Sequence, residues 1–470
     1  MNKIKKKSES FVKIGMIYTI SNLIVKGIAF LTTPIFTRLM SQNEYGQFSS
    51  IASWANIISI LVTLGLYSSI SRAKYDYGDR INEYMSTIII LGNIVTIICW
   101  IIIESKISFF EDIFSMNRLY IRAILMYAMF SPAIQTLIEK NRMFNEYKQV
   151  IVITWVTLLA STGSSLALVI IMNNKLTGIV FGNYLVVAIV AIIFWLFIII
   201  NGRCFSFKYC KYACILAVPL IFHQLSGVLL NSSDRIIIEQ LCGGKDAALY
   251  SLAYTIAMMI TVLLSSLNQA WIPWLYDRLE TKEFKYIESV AKKYSIFFTM
   301  GCIFLMLIGP ELVLLFGGKS YLEAIYVIPP VCMAIELQFF YTFYVNIEFF
   351  LKKMIYVSLA TILATIINIV LNYLLIPKFG YIVASYTTIV GYFFMLLFHY
   401  GICRKTKYKN LFDEKGIIMN ILLCLIGMFL SLILYKFNTI RIMFLILILI
   451  ILVVTLYVNK EKLLEIIKRE

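Results

Sequence analysis

The feature that most constrains this chain is its succession of apolar runs, each long enough to cross a lipid bilayer and separated by short polar gaps. A helix needs about 20 mostly apolar residues to span the hydrocarbon. Such runs lie near 14–37, 46–70, 85–104, 119–138, 150–172, 177–200, 212–233, 246–272, 294–316, 322–350, 354–376, 380–403, 416–435 and 440–458. Only 14% of the residues are charged, against about 25% in a soluble domain. Lipid must therefore solvate most of the chain. The expected fold is an all-α polytopic membrane protein of about fourteen transmembrane helices.

The charges orient the spans. With the N-terminus inside, most of the 42 Lys and Arg residues fall in inner segments. These are the N-terminal lysines, Arg72 to Arg80, Lys140 to Lys148, Arg203 to Lys211, Arg278 to Lys293, Lys352 and Lys353, Arg404 to Lys415, and Lys460 to Arg469. The outer segments and outer helix ends hold a minority, among them Arg38, Arg118, Arg235 and Arg441. Lys and Arg are retained on the cytoplasmic side, so both termini are expected in the cytoplasm and the number of spans is even. The net charge of +16 follows from these loops, which face an anionic leaflet, and no nucleic-acid partner is implied.

Several functions are set aside by what the sequence lacks. The first apolar run is too long for a cleavable signal peptide and reads as the first span. Nine cysteines carry no CxxC spacing, and Cys210 and Cys214, one helical turn apart, lack the further ligands of a zinc site. No nucleotide-binding loop, metal-ligand cluster or nucleophile elbow is present. No gap holds a folded catalytic domain, and the short outer loops argue against a membrane polymerase. The expectation is a non-enzyme without a cofactor, driven by a gradient or by consumption of its product.

Two local matches indicate an internal repeat of six spans. Glu44-Tyr45-Gly46-Gln47-Phe48-Ser49 opens the second span, and Asp246-Ala247-Ala248-Leu249-Tyr250-Ser251 opens the eighth. Gly178 to Gly182 opens the sixth span and Gly380 to Ala384 the twelfth. Six spans per repeat give two parallel halves, a transporter pattern with the substrate site between them. The domains are accordingly expected at 1–205, 206–410 and 411–470, the last holding two additional helices.

Transport needs a wet path, and polar residues at helical spacing mark candidates for it. In the first span Thr19, Asn22, Lys26, Thr33 and Thr37 fall within about 60° of one another. Ser49, Ser53, Asn56, Thr63 and Tyr67 align in the second span, His223, Gly227, Asn231 and Asp234 in the seventh, and Tyr254, Thr261, Ser265 and Asn268 in the eighth. The stripe Thr361, Thr365, Asn368 and Asn372 of the eleventh reads as helix packing instead. Lys26 lies near the middle of its span, where a cation needs a partner or a water-filled cavity. Lys26, Asn22, Asn56, His223 and Asn231 are thus the candidate cavity lining. Arg38, Asp234 and Arg235 are candidate outer-gate residues. Glu336, at the middle of the tenth span, is the candidate ion-coupling group, with a structural partner for Lys26 as its alternative. His223 suits a proton relay or a packing contact. Pro34, Pro132, Pro219, Pro310, Pro329 and Pro330 are expected to bend or break their helices.

The run Pro34-Ile35-Phe36-Thr37-Arg38-Leu39-Met40-Ser41-Gln42-Asn43-Glu44-Tyr45-Gly46 resembles the opening of the oligosaccharide-lipid flippases (Wzx type) of bacterial polysaccharide synthesis. Asn231-Ser232-Ser233-Asp234-Arg235-Ile236-Ile237-Ile238 resembles a second family stretch, as do 315–324 and 368–380. The resemblance covers about residues 10–405. It implies the multidrug/oligosaccharidyl-lipid/polysaccharide exporter fold, two six-helix bundles in a V around a central cavity. It also implies an undecaprenyl-diphosphate-linked oligosaccharide as substrate. Membrane lipid, a coupling proton or sodium ion at Glu336 and a polysaccharide polymerase are the further partners expected. Lys26 fits the cavity cation that the family sets against the diphosphate. Few other midplane cations exist, which counts against the lipid II flippase branch and its arginine-rich cavity. A cation-coupled multidrug-type exporter is the second reading, and a non-transporting scaffold the third.

Overall fold

The computed structural model describes residues 27–458 except Ala29, and among them every regular element is helical. Each expected span from the second to the fourteenth has its helix; most of the first lies outside the described residues. Among the described residues eleven helices are long and apolar enough to cross a membrane, and Asn438–Ile450 adds a shorter apolar one. The chain divides into two compact units, Met1–Ala248 and Leu249–Glu470. The seventh span falls in the first unit because its helix (Phe207–Cys242) packs against the helices Gln42–Thr63 and Ile81–Ser105 and the turn over Leu66–Ser69; the repeat division expected at residue 205 is a different partition of the chain.

In the first unit, α1 (residues 30–39) leads to α2 (Gln42–Thr63). Ser41 caps α2 by a capping box: its hydroxyl accepts from the Glu44 N–H at 3.3 Å, and Glu44 Oε2 accepts from the Ser41 N–H at 2.9 Å. α2 ends at Leu64 and Gly65, two successive residues of positive φ, so the second span stops short of its apolar run. α3 (Ile70–Tyr77) and α4 (Ile81–Ser105) follow, then a short α5 (Ile107–Phe114). Within α5, Glu111 accepts from the Arg118 backbone N–H at 2.8 Å and from its guanidinium, which holds the carboxyl below its usual range. The fourth span is broken at Ser131, where Pro132 ends α6 (Arg118–Phe130) and starts α7 (Pro132–Met143).

The fifth and sixth spans form a tight pair, α8 (Tyr147–Ile171) against α9 (Lys175–Val180), a π-helical turn over Phe181–Val186, and α10 (Val187–Gly202). A Cβ at Gly182 would lie 2.4 Å from the Ser165 Cα, so only glycine permits this approach. Asn183 Nδ2 donates to Ser165 Oγ at 2.9 Å, and Ser161 donates to Asn183 Oδ1 at 2.7 Å. α11 (Phe207–Cys242) lies along α2 and closes the unit's core of Leu66, Ile70, Tyr84, Ala133, Ala213 and Ala217. α12 (Gly244–Ala257) crosses the boundary between the units.

The second unit holds α13 (Met259–Glu280), α14 (Phe284–Gly317), α15 (Ile328–Phe350), α16 (Met354–Phe379), α17 (Val383–Arg404), α18 (Glu414–Leu434) and α19 (Asn438–Val458). Its centre is α15, most of whose residues are buried. Pro329 and Pro330 sit in the first turn of α15 and start that helix rather than bend it. Pro219 and Pro310 lie inside the continuous α11 and α14. The α16 stripe is packed: Asn372 donates to Asn368 Oδ1 at 3.2 Å, and Asn368 to Thr387 of α17 at 3.4 Å.

The α18–α19 hairpin docks on α14 through Ile303, Leu307, Leu434 and Ile448. It is also clamped. Arg441 makes two 2.6 Å bonds to Glu311 and donates to the Leu307 carbonyl at 2.7 Å, and Tyr435 donates to the Met306 carbonyl at 2.6 Å. Arg441 is almost wholly buried, whereas Glu311 is half-exposed. Arg441→Met is expected to loosen the hairpin and cost about 2 kcal/mol, since the buried half of a paired charge is lost while the acid keeps some water. Thermal unfolding of the detergent-solubilised protein measures this, and an unchanged midpoint would refute the clamp.

Candidate functional site

Lys26 and Asn22 lie outside the described residues. His223 is on α11, and its side chain also lies outside what is described. The other expected residues are placed, and three of them gather at one end of the first unit.

That end is built from α1, α2 and α11. Asn231, Asp234 and Arg235 occupy successive turns of α11. Asn231 donates to the Gly227 carbonyl at 2.8 Å, and Arg235 donates to the Asn231 carbonyl at 2.9 Å. Asp234 is 1% exposed. Arg235 acts electrostatically on Tyr45 of α2, whose hydroxyl bonds Thr33 of α1. Arg38 is exposed on α1. Beside this group, α2 meets the start of α12 at backbone contact: a Cβ added at Gly46 would lie 1.7 Å from the Gly244 carbonyl oxygen and 2.8 Å from the Ala248 nitrogen. Gly46 and Ala248 are the matched positions of the repeat comparison, so the two similar segments touch each other.

The α2 stripe is not uniform. Asn56 is exposed, but Ser53 and Thr63 are buried. The hydroxyls of Ser49, Ser53 and Thr63 donate to the carbonyls four residues back, at 3.0, 2.9 and 2.6 Å. Those bonds leave Asn56 as the stripe's open amide.

In the second unit, Glu336 is fully buried on α15. Oε1 accepts from Thr299 of α14, and the Cys302 thiol lies beside the carboxyl. Oε2 has no hydrogen-bond partner among the described residues. The carboxyl thus has a hydroxyl donor on one oxygen and no partner among the described residues on the other.

Sequence reasoning missed a second acid on the same helix. Glu348 Oε1 lies 2.9 Å from His399 Nδ1 of α17, and both side chains are fully buried. The signal was available: two opposite titratable groups at matching depth near the inner ends of the tenth and twelfth spans. Among the described residues no group of three His, Cys, Asp or Glu side chains is placed to hold a metal.

Residues 11–278 match the family described as polysaccharide biosynthesis protein. Protein 1 of the Lsg locus of Haemophilus influenzae is 23% identical over 378 residues, covering 76% of this chain and 89% of that protein. An uncharacterized membrane protein of the same organism is 23% identical over 419 residues, covering 85% of this chain and 98% of the other. Among solved structures, the lipid II flippase MurJ in an inward closed conformation superposes with a TM-score of 0.63 at 15% identity, covering 94% of this chain and 100% of that one. An inward-facing multidrug resistance transporter of the MATE family and MOP superfamily gives 0.52 at 16% identity, covering 87% and 98%. At these identities the structures establish a shared helical fold.

Proposed function

Because this chain belongs to the polysaccharide biosynthesis protein family, we propose that it flips an undecaprenyl-diphosphate-linked oligosaccharide from the inner to the outer leaflet of a bacterial cytoplasmic membrane. The repeat unit would feed capsule, O-antigen or exopolysaccharide synthesis, and the polymerase that joins the units is the natural downstream partner. The observation that carries this reading is the family match over 11–278, which contains both Pro34–Gly46 and Asn231–Ile238. The fold shared with a flippase and with a multidrug transporter supports a transporter by alternating access.

In this reading Lys26, Asn22, Asn56, His223 and Asn231 line the cavity, and the Lys26 cation meets the diphosphate. Arg38, Asp234 and Arg235 belong to the outer gate, beside the Gly46–Gly244 contact. Glu336 is the ion-coupling group. The two transport halves are 1–205 and 206–410, with 411–470 as an added hairpin. The basic inner loops orient both termini to the cytoplasm.

Deleting the gene is expected to trap the lipid-linked repeat unit on the inner leaflet and to stop surface polymer. Extraction of lipid-linked sugars together with polymer staining measures both. Normal polymer after a clean deletion, with no second copy of the gene, would refute the reading. Drug sensitivity with intact polymer would move the protein to the multidrug class.

A further inference from the structure

The proposed function uses one buried acid of α15. The other, Glu348, pairs with His399, and nothing in the flipping cycle described above requires it. Around the pair the walls are aromatic. Tyr341 stacks on the imidazole with centroids 5.7 Å apart, and Phe398 meets it edge-on at 5.8 Å. Among the described residues, neither Glu348 Oε2 nor His399 Nε2 has a hydrogen-bond partner.

Proton arithmetic decides what such a pair does. With one titratable proton it is neutral overall, as imidazolium and carboxylate or as imidazole and carboxylic acid. Losing that proton leaves a bare carboxylate in a dry site, and gaining a second leaves a bare imidazolium. Either change places an uncompensated charge in low dielectric, at a cost of several kcal/mol. Exchange of a proton with such a pair therefore needs water to reach it.

The segment joining α17 to α18 packs over the same two helices. Tyr408, Leu411 and Phe412 are all buried. Phe412 lies against Phe343 at 5.0 Å and Tyr344 at 5.8 Å, and Tyr344 against Tyr400 at 5.7 Å. Cys403 Sγ reaches the Tyr408 carbonyl at 3.8 Å. Tyr344 precedes Glu348 by one helical turn and Cys403 follows His399 by one, so this segment packs on the turns that flank the pair on either side. Beside this segment is a small cleft lined by Lys292, Ser295, Phe343, Phe412, Asp413 and Asn420, with Lys292 and Asp413 3.6 Å apart at its exposed rim.

We propose that Glu348 and His399 form a proton-binding site, filled from and emptied to water when the aromatic plug over 405–413 moves. The proton taken up is shared between Oε1 and Nδ1, and on release it returns to water. The inference rests on the transporter reading, in which access to the buried face changes during the cycle. Other titratable groups surround the pair without bonding it. On α15 and α17 they are Tyr341, Tyr344, Tyr392, Tyr400, Cys403 and Arg404. Lys353 follows α15, and Glu414 of α18 pairs with Arg404 at 2.9 Å. Tyr276 of α13 packs on Phe350, and Tyr294 of α14 on Phe339 and Phe343. α16 carries no Asp, Glu, His or Arg; its titratable groups are Tyr356, Tyr373 and Lys378.

Cys403 is a native reporter of the plug. The experiment uses the full-length protein in liposomes with Cys403 as its single cysteine, and follows modification by N-ethylmaleimide against pH. The thiolate fraction alone raises the rate about tenfold per pH unit. If opening is linked to release of one proton, a further factor of about ten per unit is added. The expected slope is therefore about two decades per pH unit with the native pair and about one in Glu348→Gln/His399→Gln, which keeps a neutral hydrogen-bonded pair of similar volume. Equal slopes overturn the proposal. If that double variant does not fold, Glu348→Gln/His399→Asn, which also removes both titratable groups, gives the same comparison. The assay needs no transported substrate, so a failure of the flippase reading leaves it interpretable, and equal slopes in an active flippase remove this site alone.

Discussion

Gly46→Val is expected to abolish transport, and Gly46→Ala to impair it severely, because no side chain fits where α2 meets α12. The added Cβ would stand 1.7 Å from the Gly244 carbonyl oxygen. An ordinary carbon–oxygen contact needs roughly twice that distance, and the obstruction is backbone, which has no rotamer to yield. Small residues at helix crossings in membranes exist to permit such approaches. Closing the contact over a valine would cost more than about 3 kcal/mol, above the usual penalty for overpacking. In a transporter that alternates between two forms, that cost removes the form in which α2 and α12 touch. The variant should therefore reach the membrane in normal amount and fail to move substrate. Ala248→Leu should behave alike, since the Ala248 nitrogen lies 2.8 Å from the same point. Membrane abundance by immunoblot and surface polymer in a deletion strain give the two readouts. Normal polymer from Gly46→Val would show that this approach is dispensable. Loss of the protein from the membrane would instead assign the contact to folding.

Much of the architecture was legible because lipid imposes a simple rule on the chain. Every expected span from the second to the fourteenth in the described region became a helix. Breaks were harder to place. Pro132 announces its own interruption, but Leu64 has no local signal for positive φ, and the second span accordingly ends earlier than its apolar run. Polar stripes were the least legible feature. Periodicity shows which residues share a face, not what the face meets. Ser49, Ser53 and Thr63 satisfy their own helix, whereas Asn368 and Asn372 tie α16 to α17. Charges near span ends misled for a related reason. Glu348, His399 and Arg441 occupy depths at which an interfacial charge is ordinary, so only a three-dimensional partner distinguishes them. Arg441 turned inward to Glu311, and Glu348 found His399 on a helix two spans away.

Lys26→Ala is the other variant expected to have a very large effect, a loss of transport of about 100-fold or more, with Lys26→Arg staying within about tenfold of normal. By sequence Lys26 is about 11 residues from either end of its apolar run, so in a spanning helix it is expected about 17 Å from each surface. A lysine stem is too short to carry its ammonium to the headgroups from there, so the charge must be compensated within the protein or by what the protein carries. A diphosphate supplies that compensation only while substrate is bound, and it moves with the substrate from one side to the other. Arginine keeps the charge and satisfies phosphate oxygens by a two-point contact, though its geometry differs from that of an ammonium. Methionine keeps much of the stem and loses the charge, so Lys26→Met should match alanine if charge is what matters. Surface polymer per unit of membrane protein in a deletion strain provides the scale. Three results are informative: alanine and methionine both inactive with arginine active places the cation on the substrate path; methionine active shows that the stem packs and the charge is idle; and full activity in alanine leaves Lys26 with no part in transport.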